Sequence, residues 1–330
     1  MSNGIGRKRT MGIAGQASYS VPAVAPTFTL SLLDTPKITP VQNKVLNNAA
    51  MGSTYAENAA KKTTRQSSIG ISFKVDENSL PLVLSQKFTI ETVTAPGESA
   101  VYIHTLTYNS TNLGKAFTLF LQDSDRTSQT AEGVMFGNAN LTIDQGFVRC
   151  DMEGIGKSPE TWTNTNTIVA PNEFVGRNAA FSYGDYGSST ASNTILMANL
   201  NHNFPLSGDD TNFNLGDEDL GQLYTLEDSF EVVVSALFSS LTGFRSDYVD
   251  DTAKQAIFTL IDTDRYVSGS VANTRPKIVF NYPYAKVTGW EEQGGLGDVL
   301  KQQATLKPLD YVGVATAPLT ITITNAVASY

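Results

Sequence analysis

The sequence predicts a mainly β protein with two tandem, duplicated units, each a sandwich-like or barrel-like fold with a short flanking helix. Two observations support this prediction. Charged residues make up only 17% of the chain, and Asn, Ser, Thr and Gly are abundant, which is typical of strands joined by turns rather than of helical bundles. In addition, one strand-and-turn motif occurs twice, as expected for a duplicated unit.

The duplicated motif is an alternating strand that ends in an acidic turn. The turn reads Asp-Ser-Asp-Arg at residues 123–126, after a strand pattern at residues 117–121. It reads Asp-Thr-Asp-Arg at residues 262–265, after a similar pattern at residues 258–261. A second strand pattern follows each turn, so each half of the chain is predicted to contain one copy.

Residues 1–66 are predicted to be an N-terminal arm followed by an assembly loop. Gly, Ser and Pro punctuate residues 1–26, and residues 28–32 alternate as a strand. Residues 41–62 combine weak helix formers with Gly52, which favours a long loop with a helical turn, and residues 41–66 are predicted to be the assembly loop. The loop is too polar for a core and too apolar for free solvent, so a partner is expected to cover it. Its apolar residues are Val45, Leu46, Met51 and Tyr55.

Residues 67–154 are predicted to form the first tube-like β unit. Clean alternation predicts a strand at residues 69–75. Ser79, with Pro81 in the first turn, predicts a short helix that ends at Leu84. The other strands of this unit are predicted at residues 88–93, 101–108, 116–121, 135–143 and 147–152.

Residues 155–194 are predicted to be a connecting loop, because Thr, Asn, Ser and Gly dominate them. Residues 195–330 are predicted to form the second tube-like β unit, with a short acidic helix near residues 217–223 and a C-terminal strand at residues 318–324. Its other strands are predicted at residues 195–204, 229–238, 256–261, 277–284, 285–290 and 299–306.

Charge and residue usage argue against several classes of function. The net charge is −9, with 23 basic and 32 acidic residues, which gives no basis for general nucleic-acid affinity. The single cysteine, Cys150, allows neither an intrachain disulfide nor a thiolate metal cage. The basic run at residues 7–9 precedes no signal-peptide core, and no stretch reaches the roughly 18 apolar residues of a membrane span. The chain is therefore expected to be soluble, made in a cytoplasm and without a membrane partner.

The two acidic turns are the best candidates for a binding site. Two carboxylates two residues apart could hold Ca²⁺, but the later ligand positions of a calcium loop are missing. Alternatively, the Asp side chains cap the turn, and Arg126 and Arg265 pair with them or with a neighbouring subunit. We expect this second role and no metal.

Other candidate sites also have a structural explanation. Asp209, Asp210 and the acidic residues at 217–219 could act in glycoside hydrolysis or form a solvated face. His104 and His202 lie on strand patterns, and the chain contains no nucleophile or phosphate-loop motif. The sequence therefore predicts no catalytic or cofactor-binding residue, no cofactor and no enzymatic activity. Connector aromatics that could bind sugar, but are expected to pack on a neighbour, are Trp162, Phe174, Phe181, Tyr183 and Tyr186.

The order of several segments matches that of a known family. In the first half these are the strand at residues 71–76 before a short helix, the strand-turn-strand at residues 140–149, and the Gly-terminated segment at residues 152–154. In the second half they are residues 281–287 and the Gly-rich stretch at residues 294–297. Both predicted units therefore resemble the tail tube, or major tail, proteins of long-tailed bacteriophages.

This resemblance implies a structural virion protein of the tail that self-assembles into stacked rings. DNA would pass through the lumen of the resulting tube, without specific binding, during genome delivery. A duplicated chain implies three subunits in a pseudo-sixfold ring, and a single unit implies a hexamer. Other implied partners are tail proteins such as the tape measure, terminator and distal tail proteins. Candidate inter-ring and inter-subunit contacts are Val45, Leu46, Met51, Tyr55, Arg126 and Arg265.

Two further expectations concern the surface of the assembly. The acidic balance predicts a net negative lumen to which DNA does not adhere. The alternative function is a carbohydrate-binding or adhesin β-module of a virion, which would use the aromatic residues of the connector.

Overall fold

The computed structural model describes residues 9–47, 59–110, 114–167, 172–187, 191–207, 212–213, 218–237, 243–294, 299–310 and 317–330. These residues form nineteen β-strands and two short α-helices, which confirms the mainly β prediction. Every ladder between two of these strands is antiparallel. Neither of the two α-helices is long and apolar enough to cross a membrane.

The strands are numbered in chain order. The first ten are β1 (Arg9–Gly15), β2 (Phe28–Leu30), β3 (Lys37–Asn47), β4 (Ala59–Lys74), β5 (Phe88–Thr94), β6 (Tyr102–Tyr108), β7 (Phe117–Asp123), β8 (Gln129–Phe136), β9 (Asn138–Ile143) and β10 (Arg149–Gly156). The others are β11 (Glu160–Thr161), β12 (Ala179–Gly184), β13 (Ala191–Asn193), β14 (Met197–Asn203), β15 (Ser229–Leu237), β16 (Ala253–Ile261), β17 (Lys277–Gln293), β18 (Lys301–Pro308) and β19 (Thr320–Asn325). Helix α1 spans Ser79–Leu84, and helix α2 spans Phe244–Val249.

Eight strands follow one another in a continuous antiparallel sheet, which we call the spine. Their order is β3–β4–β10–β9–β14–β15–β18–β17. The step from β9 to β14 joins the two halves of the chain, with Leu141 opposite Leu200. Because the ladder continues across this step, both halves belong to one sheet.

Two strands of the spine also carry branches. The N-terminal part of β17 pairs with β16 on one edge and with β19 on the other. From β16 the sheet continues to β12 and β13, and from β19 it continues to β6 and β5. The C-terminal part of β10 pairs with β8, and β8 also pairs with β11 and β7. Strand β7 pairs in turn with β1, and β1 pairs with β2.

A glycine allows the fork at β10. Gly154 lies opposite Phe136, where β10 passes from its pairing with β9 to its pairing with β8. A Cβ atom at this position would lie 2.5 Å from the carbonyl oxygen of Met135. The two strands therefore approach more closely than any other residue at position 154 would permit.

One large hydrophobic core unites the spine and its branches. Strands β9, β14 and β15 alternate strictly between buried and half-buried residues, the period expected of a sheet with one buried face. The buried Leu141 and Leu200 belong to the same core as Phe117 of β7 and Phe280 of β17. A register slip of one residue would turn these apolar side chains to the other face, so burial fixes the register.

The structure corrects the expectation for residues 41–66. In place of a long loop with a helical turn, β3 and β4 form a long hairpin, from Lys37 opposite Gly70 to Asn47 opposite Ala59. The strands prevail because the ladder gives the backbone hydrogen-bond partners, whereas Asn, Thr and Gly add little to helix stability. Val45 and Leu46 lie on β3, and the predicted contacts Met51 and Tyr55 lie outside the described residues.

Two expectations for the later chain were also wrong. The described residues 218–223 contain no helix, and α2 follows β15 instead. The expected connecting loop at 155–194 contains β11, β12 and β13, as well as a 3-10 turn at Gly176–Asn178. Six residues of β12 pair with β16, so much of this segment belongs to the sheet.

The predicted helix at residues 79–84 is confirmed. The strands predicted at residues 88–93 and 101–108 are confirmed as the paired strands β5 and β6. The residue that caps the helix differs from the expected Ser79. The Oδ1 atom of Asp76 accepts hydrogen bonds from the backbone N–H groups of Asn78 (2.8 Å) and Ser79 (2.7 Å). This carboxylate therefore satisfies donors that the first helical turn leaves without partners.

Candidate assembly interface

The two acidic turns have the same local structure. Oδ1 of Asp123 accepts a hydrogen bond from the backbone N–H of Asp125 at 3.0 Å, and Oδ1 of Asp262 accepts one from Asp264 at 2.9 Å. Both first carboxylates thus close an Asx turn between antiparallel neighbouring strands, β7–β8 and β16–β17. The capping role expected for these residues is present in both turns.

The arginines of the two turns are exposed and do not pair with the capping carboxylates. Instead, Nε of Arg9 donates to Oδ2 of Asp123 at 2.8 Å. Burial by itself would raise the pKa of Asp123, but the hydrogen bond from Asp125 and the charge of Arg9 outweigh it and lower the pKa. Arg265 donates to Oδ1 of Asn172 at 3.3 Å, while Arg126 lies beside β3. In the described part of the chain, no group of three or more His, Cys, Asp or Glu side chains is arranged to hold a metal ion.

Two members of the predicted acidic cluster, Glu218 and Asp219, anchor the β3–β4 hairpin. Arg65 of β4 makes a two-pronged ion pair with Asp219, with Nη2 2.7 Å from Oδ2. Nearby, Nζ of Lys62 lies 2.9 Å from Oε2 of Glu218. These contacts hold the hairpin against a segment from the second half of the chain. Sequence analysis missed them, although the opposite charges of the two segments were visible.

One face of the spine is polar and only partly exposed. At its centre, Asn138 and Asn140 of β9 lie opposite Asn203 and Asn201 of β14. Thr142 of β9 lies opposite Asn199 in the same ladder. Charged residues flank this centre with both signs. The basic ones include Arg149, Lys301 and Lys307, and the acidic ones include Asp151, Glu153 and Glu231.

Both histidines are completely buried and serve structural roles. Nε2 of His104 lies 2.9 Å from Oδ1 of Asn325, and its Nδ1 lies 2.8 Å from Oγ1 of Thr92. His202 hydrogen-bonds the hydroxyl of Tyr282 at 2.8 Å, and burial lowers the pKa of His202 to about 3. Neither imidazole is therefore available for acid–base chemistry at a surface.

A buried ion pair connects the two halves of the chain. Nζ of Lys87 lies 2.8 Å from Oδ2 of Asp228, and both side chains are almost fully buried. The hydroxyl of Tyr108 donates to the same carboxylate at 2.6 Å, and Lys87 also reaches Thr225 at 2.7 Å. This network lies on the side of the buried face of the spine. It links β5 and β6 to the segment that precedes β15.

Most aromatic residues of the predicted connector point into the protein. Trp162 packs on Phe120 with ring centroids 5.2 Å apart, and Phe174 is buried in the main core. Phe181 and Tyr183 stack on each other and are also buried. Tyr186 is the exposed member of the group. The packing role expected for these residues is thus intramolecular in four of the five.

No protein-family model matches the sequence, and no curated protein matches it either. Function is therefore inferred from the geometry of the chain itself.

Proposed function

We propose that this chain is a structural, non-enzymatic subunit of a phage tail tube that self-assembles into stacked rings. The observation that carries the proposal is the spine. It runs through both halves of the chain, has one polar and one buried face, and ends in exposed strand residues. Closure with further copies stabilises a sheet of this kind, because a closed barrel leaves no edge strand with unpaired backbone groups.

The proposal includes a tandem duplication within each chain. The two equivalent Asx turns favour it, as does the β9–β14 ladder, in which strands from the two halves meet edge to edge. In this arrangement each chain supplies two sandwich-like units to a barrel, and three chains make a pseudo-sixfold ring. Without a true duplication, six chains would form the ring.

The polar face of the spine is proposed to line the lumen through which double-stranded DNA passes. Its centre consists of amide and hydroxyl side chains, and Nε of Arg149 lies 3.1 Å from Oδ2 of Asp151. The net charge of −9 is thus not concentrated on this face. We therefore replace the expected acidic lumen with a nearly neutral one, in which paired and interspersed charges offer DNA few continuous binding sites.

The β3–β4 hairpin is proposed to make the contacts between rings. Its described side chains at residues 41–44 are exposed, and ion pairs at Lys62 and Arg65 fix its base. A rigid hairpin that projects from the sheet can reach a neighbouring ring along the tube axis. Tape measure, terminator and distal tail proteins are the further partners of such a tube in the virion.

The adhesin alternative requires exposed aromatic platforms for sugar rings. Of the five aromatic residues considered, four are buried in the structure. We therefore do not advance a second function.

Electron microscopy of the purified protein tests the proposal. Rings or tubes with a central channel are the expected result over a range of protein concentrations. Protein that remains monomeric at all concentrations, or that binds glycans on an array without forming polymers, would contradict it.

A further inference from the structure

Within the described residues, the spine ends in two strand edges that have no ladder partner on their outer side. At one end, β3 pairs only with β4 within the described part of the chain. At the other end, β16 pairs with β17 no further than Lys286, so described residues 287–293 of β17 pair with β18 alone. Each edge presents backbone groups that another strand can bind.

The free edge of β3 borders a groove with a cationic rim. The groove has a volume of about 490 Å³ and lies between β3 and the β7–β8 turn. Arg9, Lys37 and Arg126 surround it, and the carboxylate of Asp123 at its wall is already paired with Arg9. The groove therefore offers a strand edge together with excess positive charge.

The free edge of β17 has the opposite charge. Glu291 and Glu292 are both exposed at its end. The preceding Trp290 is held in place, since Arg245 of α2 lies 5.4 Å from its ring and its Nε1 donates to Gln302 at 3.1 Å. This part of β17 thus has a fixed orientation and an acidic tip.

We propose that these two edges are the two sides of one interface, in which β17 of one copy inserts beside β3 of a second copy. The proposal rests on the proposed self-assembly and names its lateral contact. The spine contains an even number of antiparallel strands, so β3 and β17 run in opposite directions and their pairing continues the antiparallel ladder. Pro40 lacks an N–H group, so this edge strand has one donor fewer than a regular strand.

The interface is heterologous, because each copy contributes a different edge on each side. Repetition of such a contact closes a ring when the rotation between copies permits it. Charges of opposite sign face each other only when β17 lies beside β3, and the like charges of two β3 edges disfavour their pairing with each other.

Charge reversal at each edge tests the interface. The first variant is Lys37→Glu with Arg126→Glu, the second is Glu291→Lys with Glu292→Lys, and the third combines all four substitutions. A matched control, Lys115→Glu with Lys277→Glu, changes the net charge as the first variant does but at exposed sites away from the groove. Ring formation is measured by sedimentation velocity and electron microscopy at low salt, and thermal unfolding verifies that each variant is folded.

Each two-residue edge variant should raise the protein concentration needed for ring formation by about tenfold or more, since like charges then face each other. The four-residue variant should form rings at a protein concentration closer to that of the wild type. The control should form rings at the wild-type concentration. Rings that persist in both edge variants, or a four-residue variant that is no better than either, would overturn the interface while leaving self-assembly intact. Wild-type protein that forms no rings at all would overturn the interface and the proposed function together.

Discussion

Single residues in this protein decide where strands can fork and where charge can be buried. Gly154 permits the close approach of β10 and β8, and Asp76 caps α1 from within the core. Glu77, next to Asp76, is buried with one carboxylate oxygen that has no hydrogen-bond partner.

Gly154→Ala should destabilise the protein by about 1–3 kcal/mol, because the added methyl group overlaps the carbonyl oxygen of Met135 and forces β10 away from β8. Chemical denaturation measures this change. Gly289→Ala is the matched control, since its added Cβ would lie 3.5 Å from Thr305, an ordinary contact distance. Equal effects of the two substitutions would show that the fork does not depend on close approach.

Glu77→Gln should alter how stability depends on pH. Burial raises the pKa of Glu77 to about 7, from 4.5 in the unfolded chain. The folded state therefore holds this proton more tightly, and the wild type loses stability as the pH rises from about 4.5 through 7. The variant lacks this loss, so its melting temperature relative to the wild type should increase over that interval. An unchanged difference between pH 4 and pH 8 would contradict the raised pKa.

At the scale of elements, the β3–β4 hairpin is the part with the most separable role. Its base belongs to the spine, whereas the side chains of residues 41–44, further along β3, are exposed. The central strands of the spine, such as β9 and β14, cannot be removed in this way, because their buried faces belong to the common core.

Replacement of residues 44–63 by an Asn-Gly turn should leave a folded protein that no longer forms tubes. Asn43 already lies opposite Thr64, so a short type I′ turn can close the remaining ladder. The lost ion pair of Lys62 is exposed and contributes only about 0–1 kcal/mol. Circular dichroism and electron microscopy measure the two outcomes. Lys62→Ala removes the same ion pair but keeps the hairpin, so it should still form tubes; tubes from the shortened protein would give the hairpin another role.

At the scale of the whole molecule, the two halves are joined through one sheet and one buried ion pair. Lys87 and Asp228 come from different halves and lie behind the spine. Charges buried in this way cost desolvation free energy, so removal of one partner is more damaging than removal of both.

Asp228→Asn should therefore destabilise the protein by about 3–5 kcal/mol, because it leaves the ammonium group of Lys87 buried without its counter-charge. Lys87→Met should also destabilise the protein strongly, because it leaves the carboxylate of Asp228 buried without its counter-charge. The double variant should lose much less than the sum of the two, and a double-mutant cycle by chemical denaturation measures the coupling. Additive effects would mean that the two charges do not stabilise each other.

Assembled tubes should not bind linear duplex DNA, even at low salt. The polar face of the spine has an amide-rich centre and charges of both signs, so it offers no continuous row of cations for phosphates. Asp151→Lys with Glu153→Lys and Glu231→Lys should create a salt-sensitive association with DNA. Binding by the wild-type tubes through their interior would contradict the neutral lumen.

Local patterns in the sequence predict the β class, the acidic turns and helix α1 correctly. These depend on local alternation, on turn chemistry and on the proline in the first helical turn, which are properties of neighbouring residues. The local patterns failed at the β3–β4 hairpin and at α2, where weak intrinsic preferences left the outcome to contacts made elsewhere in the chain. The β9–β14 ladder, the buried pair of Lys87 and Asp228, and the two edges of the spine that lack a ladder partner among the described residues depend on the tertiary fold. Residues far apart in the chain form these features, and their pairing depends on which apolar faces can be buried together.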